Sequence, residues 1–229
     1  MAWILLMVLL FAILLGPSLW VRRVMRRYAA PPDRYRDCGT GADLARHLLA
    51  RQAIHGVTVE ATAAGDHYDP AARAVRLSEE NFNGASLTAV TVAAHEVGHA
   101  VQHARGERLF SARHRLAQLA VTGQRAAGLL LVAAPFAVLL TRIPHTGALF
   151  LLLALASATL GALVHLVTLP VEFDASFNKA LPMLDSGRHL HDGDLPHARR
   201  ILKAAALTYV AGSLMGLLNL ARWLAELQR

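Results

Sequence analysis

Four apolar blocks constrain this chain more than any other feature, because each must find either lipid or a protein interior. They run from Ala2 to Val21, from Ala126 to about Ile143, from Gly147 to Leu169 and from about Ala204 to Leu220. A helix needs about 20 apolar residues to cross a ~30 Å hydrocarbon layer, so the first and third blocks are long enough and the second and fourth are at the short limit. Four membrane spans are therefore expected. No basic residue precedes the first block and VRRVMRR follows it, the reverse of a cleavable signal peptide, so it is expected to stay as an anchor.

Charge then orients the spans. Of the 23 basic residues, 15 lie between Arg22 and Arg125 and five between Val171 and Lys203, whereas the short link TRIPHTG holds one. Lys and Arg collect on the cytoplasmic side, so both long polar segments are expected there, with the two termini outside. A net charge of +7 invites a nucleic-acid reading, but neither aromatic interleaving nor a nucleic-acid motif accompanies it. The basic excess is read as topology and as attraction to an anionic lipid bilayer, with no nucleic-acid partner. The single cysteine, Cys38, excludes an internal disulfide and a CxxC site and is read as an ordinary residue.

The polar segments have a readable order. After the linker APPDRYRDCGTG, the spacing of Leu44, Leu48 and Leu49 predicts a helix over Gly41 to Gln52. VTVEAT at 57–62 and AVRLS at 74–78 alternate like strands and are separated by DHYDP, which predicts a hairpin or short meander. AVRLS could offer a free edge to an extended peptide, although an internal strand suits the pattern equally. NFNG turns the chain, Ser86 can cap, and LTAVTVAAHEVGHAVQHA continues as a helix over 86–104.

That helix carries His95, Glu96 and His99. Residues four apart project from one helix face, so both imidazoles can reach one tetrahedral zinc ion, while Glu96, turned roughly 100° from His95, stands beside the ion and can act as a base. The His-Glu-x-x-His pattern is thus a mechanism as well as a spacing. Gly98, inside the helix, costs about 1 kcal/mol against alanine and implies close approach of another backbone. His103, a further turn along, is read as helix surface or as a support for the ligands. A third ligand is sought in LPVEFDAS at 169–176, with Glu172 preferred and Asp174 as alternate ligand or as a carboxylate that orients a histidine ring. The apolar run from Ala85 to Val101 is interrupted by His95, Glu96 and His99, which argues against a site buried at bilayer depth.

The runs DHYDP, VRLSEENFNG, AAHEVGHAVQHA and LPVEFDAS resemble, in order and over nearly the whole chain, the YugP-type neutral zinc metallopeptidases of bacterial membranes. The resemblance implies zinc held by His95, His99 and Glu172, with Glu96 as general base of peptide hydrolysis. The arrangement is also similar to HtpX-like membrane peptidases, but those carry an acidic residue four positions after the ligand Glu, where this chain has Ser176.

The fold expected is a mainly α membrane protein with about four transmembrane helices and a small cytoplasmic α+β zincin-like domain. Its segments are an anchor (1–21), a cytoplasmic metallopeptidase segment (22–125), a transmembrane hairpin (126–169), a second cytoplasmic segment with the third ligand (170–203) and a last helix with its tail (204–229). Its place is the bacterial inner membrane, as a multi-pass protein, and its substrate a peptide or membrane protein. The rival function is an inactive zinc-binding scaffold, against which the intact Glu96 speaks. Candidates for an oxyanion-stabilising group are His165, His189, His191, His197 and Tyr209, and DSGRHLHDGDLPHARR reads as a solvated loop.

Overall fold

The computed structural model describes residues 2–37, 39–141, 149, 152, 164, 167–187 and 189–208. Cys38, His165, Tyr209, most of the third apolar block and the fourth beyond residue 208 lie outside the described residues. The chain divides into two compact units, one built from Met1–Glu107 with Leu169–Arg229 and the other from Arg108–Thr168.

In the first unit, helix α1 spans Ala2–Tyr28 and ends on Arg26 and Arg27, where cations favour the negative end of the helix dipole. Helix α2, Gly41–Arg51, begins at a reciprocal cap in which the Thr40 side chain accepts from the Asp43 amide while the Asp43 carboxylate accepts from the Thr40 amide. Leu44, Ala45, Leu48 and Leu49 are buried, as the helical spacing requires. Three short strands follow: β1 (Thr58–Ala61), β2 (His67–Asp69) and β3 (Ala74–Leu77).

The sheet order is β1-β3-β2, with β1 parallel and β2 antiparallel to β3. The two alternating segments of the sequence therefore do not form a hairpin with each other. The tight turn lies between β2 and β3 instead, where Asp69 accepts hydrogen bonds from the amides of Ala71 and Ala72 and Arg73 takes a φ of 52°. DHYDP thus holds a strand as well as a break. Since β3 is paired on both sides, AVRLS offers no free edge.

Beyond the sheet, Asp66 accepts from the amide and hydroxyl of Ser78 and from the side-chain amide of Asn81. These bonds place the short helix α3, Glu79–Asn83, where the sequence suggested only a turn. Helix α4, Leu87–Ala104, starts with the Ser86 hydroxyl accepting from the Ala89 amide. Every residue from Leu87 to Gln102 is buried, which fits a helix whose apolar character runs all round. Later in the chain, residues 167–173 are helical (α6), Asp174–Ala180 form a π-helical turn, and α7 (Leu181–Ser186) and a last helix over 195–208 (α8) follow.

The segment before α2 is tied to the segment before α8. Arg34 donates to both oxygens of the buried Asp194 at 2.8 and 2.9 Å, and the Tyr35 hydroxyl donates to it at 2.6 Å. The loop read as merely solvated thus ends in a buried anchor.

The second unit holds α5, Arg108–Thr141, with Leu129, Val132, Phe136, Leu139 and Leu140 exposed. Among the described residues no helix is long and apolar enough to cross a membrane, which corrects the expectation of a fold with four transmembrane helices. For the second block the reason lies in the run length. In α5, Arg108, Arg113, Arg115 and Arg125 occupy the first half and leave only 126–141, about 24 Å of helix at 1.5 Å per residue. That falls short of a ~30 Å hydrocarbon layer.

Candidate metal centre

The buried helix α4 presents His95 and His99 one turn apart, with ring centroids 4.8 Å from each other and planes 77° apart. Glu172, at the end of α6, has no exposed surface. Its Oε2 lies 3.2 Å from Nε2 of His95 and 3.3 Å from Nε2 of His99. One ligand atom from each of these three buried residues lies within 4.8 Å of the others.

The partners on the far side of each ring decide which nitrogen faces Glu172 with a lone pair. The Ser176 hydroxyl donates its only hydrogen to the carbonyl of Leu202, so at 3.1 Å from His95 Nδ1 it accepts. The Gln102 amide donates from its nitrogen to the Val171 carbonyl at 2.9 Å and to Asp174 at 2.8 Å, so its oxygen, 2.9 Å from His99 Nδ1, accepts as well. Both rings therefore carry hydrogen on Nδ1. In the neutral rings each Nε2 then turns a lone pair toward a carboxylate oxygen.

Two lone pairs and an anionic oxygen facing one another inside a protein repel unless a cation stands among them. The spacing suits zinc, since a tetrahedral ion bonded at about 2.0–2.1 Å separates its ligands by about 3.3 Å. The donor set, two imidazoles and a carboxylate, is also one that zinc takes in catalytic sites. Burial by itself raises the affinity of Glu172 for a proton, but positive charge placed beside it at His99 and His95 outweighs that and holds the carboxyl well below its usual range, the effect that a cation among the three residues would also have. His95, His99 and Glu172 can hold a zinc ion.

Glu96 follows His95 on the same helix and is also buried. Asp174, the alternate ligand in the sequence, stands back from the three. It accepts from Gln102, Asn178 and Lys179, and although burial opposes it, the bonds from Lys179 and Gln102 bring its pKa down to about 2. It acts on a histidine only through Gln102. The Nδ1 of His103 lies 2.8 Å from the Tyr68 hydroxyl of β2. His191 stacks on Tyr35, His197 meets the Tyr28 hydroxyl, and His189 packs edge-on against His47.

Gly98 marks a close approach: a Cβ there would lie 2.7 Å from the carbonyl oxygen of Ala175, so α4 and the π-helical turn meet with no room for a side chain between them. Sequence reasoning did not single out Gln102 at all and met Ser176 only as a departure from an acidic position. The signals were their offsets, Ser176 four residues after Glu172 and Gln102 three after His99, each about one helical turn.

Comparison with known proteins agrees with this geometry. Residues 3–228 match a family described as "Putative neutral zinc metallopeptidase". The chain is 36% identical over 186 residues, 80% of its own length and 79% of the relative's, to a Bacillus subtilis (strain 168) protein named "Putative membrane protease YugP". No solved structure matches it. With three buried zinc-type ligands in place and the match running across nearly the whole chain, the protein belongs to this neutral zinc metallopeptidase family.

Proposed function

We propose that the protein is a peptidase that hydrolyses peptide bonds at the centre formed by His95, His99 and Glu172, with Glu96 as general base. The observation that carries this reading is the convergence of both Nε2 atoms on Glu172 Oε2 at 3.2 and 3.3 Å on a helix that also carries Glu96. Zinc, when bound, lowers the pKa of a water toward neutrality and polarises the scissile carbonyl.

The chain's own residues do the rest. His95 and His99 hold their rings through Ser176 and Gln102, so that no ring rotation is needed for the ligands to assemble. Glu96 takes a proton from the attacking water and delivers it to the leaving amine nitrogen as the carbon–nitrogen bond breaks, ending as it began. The walls around these groups exclude bulk water, since His95, Glu96, His99 and Glu172 are all buried.

The site of action we propose is a membrane surface, with the exposed tails of membrane proteins as substrates. The relative's name supports this, as does the cluster Arg22, Arg23, Arg26 and Arg27 late in α1, which suits anionic headgroups. Zinc content and peptide cleavage measured on Glu96→Gln and Glu172→Ala test the reading. Glu96→Gln is expected to keep its zinc and lose cleavage, and Glu172→Ala to lose zinc. Cleavage that survives Glu96→Gln overturns the role of the base, while full zinc with no cleavage in the unaltered protein favours a scaffold.

A further inference from the structure

Gln102 is fully buried and uses all of its polar atoms between the two elements that bring the ligands together. Its oxygen accepts from His99 Nδ1 at 2.9 Å. Its nitrogen donates to the carbonyl of Val171, the residue before Glu172, at 2.9 Å and to the Asp174 carboxylate at 2.8 Å. Neither the Val171 carbonyl nor an ionised Asp174 can donate, so the orientation of the amide is forced.

We propose that Gln102 is a positioning residue for zinc: it fixes the His99 ring with Nε2 toward the ion and, through the same amide, sets the seat of Glu172 relative to that ring. The inference rests on the zinc reading of this site. Asp174 is held in turn by Lys179, five residues on, and Lys179 also pairs at 3.0 Å with Glu107, just beyond α4. The chain of contacts therefore leaves α4 at Gln102 and returns to the residues that follow its end. A side chain that only filled volume would need none of this. Without an acceptor at Nδ1, the His99 proton can move to Nε2, and the nitrogen that should bind the ion then carries hydrogen instead. Removal of such a support commonly weakens metal binding by about tenfold to hundredfold.

The test uses the full chain with Gln102→Leu, Gln102→Glu, and Gln102→Glu combined with Asp174→Asn. Zinc affinity is read by chelator competition, and histidine tautomers by imidazole nitrogen-15 spectra of the metal-free protein. In Gln102→Leu, zinc binding is expected to weaken about tenfold to hundredfold and His99 to populate both tautomers. In Gln102→Glu, the new carboxylate still accepts from His99 but faces Asp174 and the Val171 carbonyl with no hydrogen to give, so affinity falls. Adding Asp174→Asn supplies a donor on the opposite side of that contact, and part of the affinity returns.

Unchanged zinc affinity in Gln102→Leu, or a melting temperature that falls while the folded protein binds zinc as before, overturns the inference in favour of packing alone. A His99 that stays protonated on Nδ1 in Gln102→Leu overturns it through the second readout. Zinc absent from the unaltered protein overturns the reading beneath it as well, so the two failures are distinguishable.

Discussion

Gly98 shows how single atoms decide the centre. Alanine is the better helix former by about 1 kcal/mol, so on propensity alone Gly98→Ala would stabilise α4. Its Cβ would instead stand 2.7 Å from the Ala175 carbonyl, a backbone atom that cannot rotate aside. Overpacking of that kind costs about 1–3 kcal/mol, so Gly98→Ala is expected to lower stability and to weaken zinc binding by moving the segment that bears Glu172. Thermal unfolding with and without zinc checks this, and a variant more stable than the parent would contradict it. At the same scale, the pair His95 and His99 was legible in the sequence because metal chemistry restricts both residue type and spacing, and Glu172 was met as the preferred of two acids in one short run. Gln102 and Ser176 were not, since glutamine and serine are common polar residues and acquire a role only when the fold aims them at a ring.

At the scale of elements, the π-helical turn is the part that sequence periodicity does not announce. Its wider turn places Asp174 opposite Lys179, at an offset of five residues, while Ser176 still reaches His95. Deleting the exposed Asn178 would return the turn to α-helical spacing and rotate α7 by roughly 100° about the helix axis. Met183 and Leu184, now buried, would lose their places, and the Asp174–Lys179 pair would part. The deletion is expected to destabilise the first unit by several kcal/mol, as when two core side chains are unseated, and urea unfolding measures it. The boundaries of α2 and α4 were readable because caps and apolar spacing agree there. The sheet was misread because β2 is only three residues long and takes the antiparallel place beside β3. The second block was misread because the arginines up to Arg125 leave α5 only residues 126–141 as an uninterrupted apolar helix.

At the scale of the molecule, the clamp of Arg34 and Tyr35 on Asp194 joins parts of the first unit that are about 160 residues apart in the chain. Burial would raise the Asp194 pKa, yet the bonds from Tyr35 and Arg34 bring it below its ordinary value of 3.8. A carboxyl with a lowered folded pKa stabilises the fold above the unfolded value and loses that contribution as pH falls through the lowered one. Acid unfolding below about pH 4 is therefore expected to be less steep in Asp194→Asn than in the parent. Burial and the bond to Asp194 push the Tyr35 phenol up to about 12, so its contribution is complete below 10 and fades as pH rises toward 12. Tyr35→Phe should cost about 1–2 kcal/mol at neutral pH, as read from urea unfolding, and no loss would mean that the clamp is ornamental to stability. The first unit also has a consequence for biosynthesis, because it is assembled from Met1–Glu107 and Leu169–Arg229. A ribosome making this chain releases both histidines and Glu96 long before Glu172. A nascent chain arrested before residue 169 should hold zinc far more weakly than the finished protein, so the metal centre stays unassembled until translation has passed the π-helical turn.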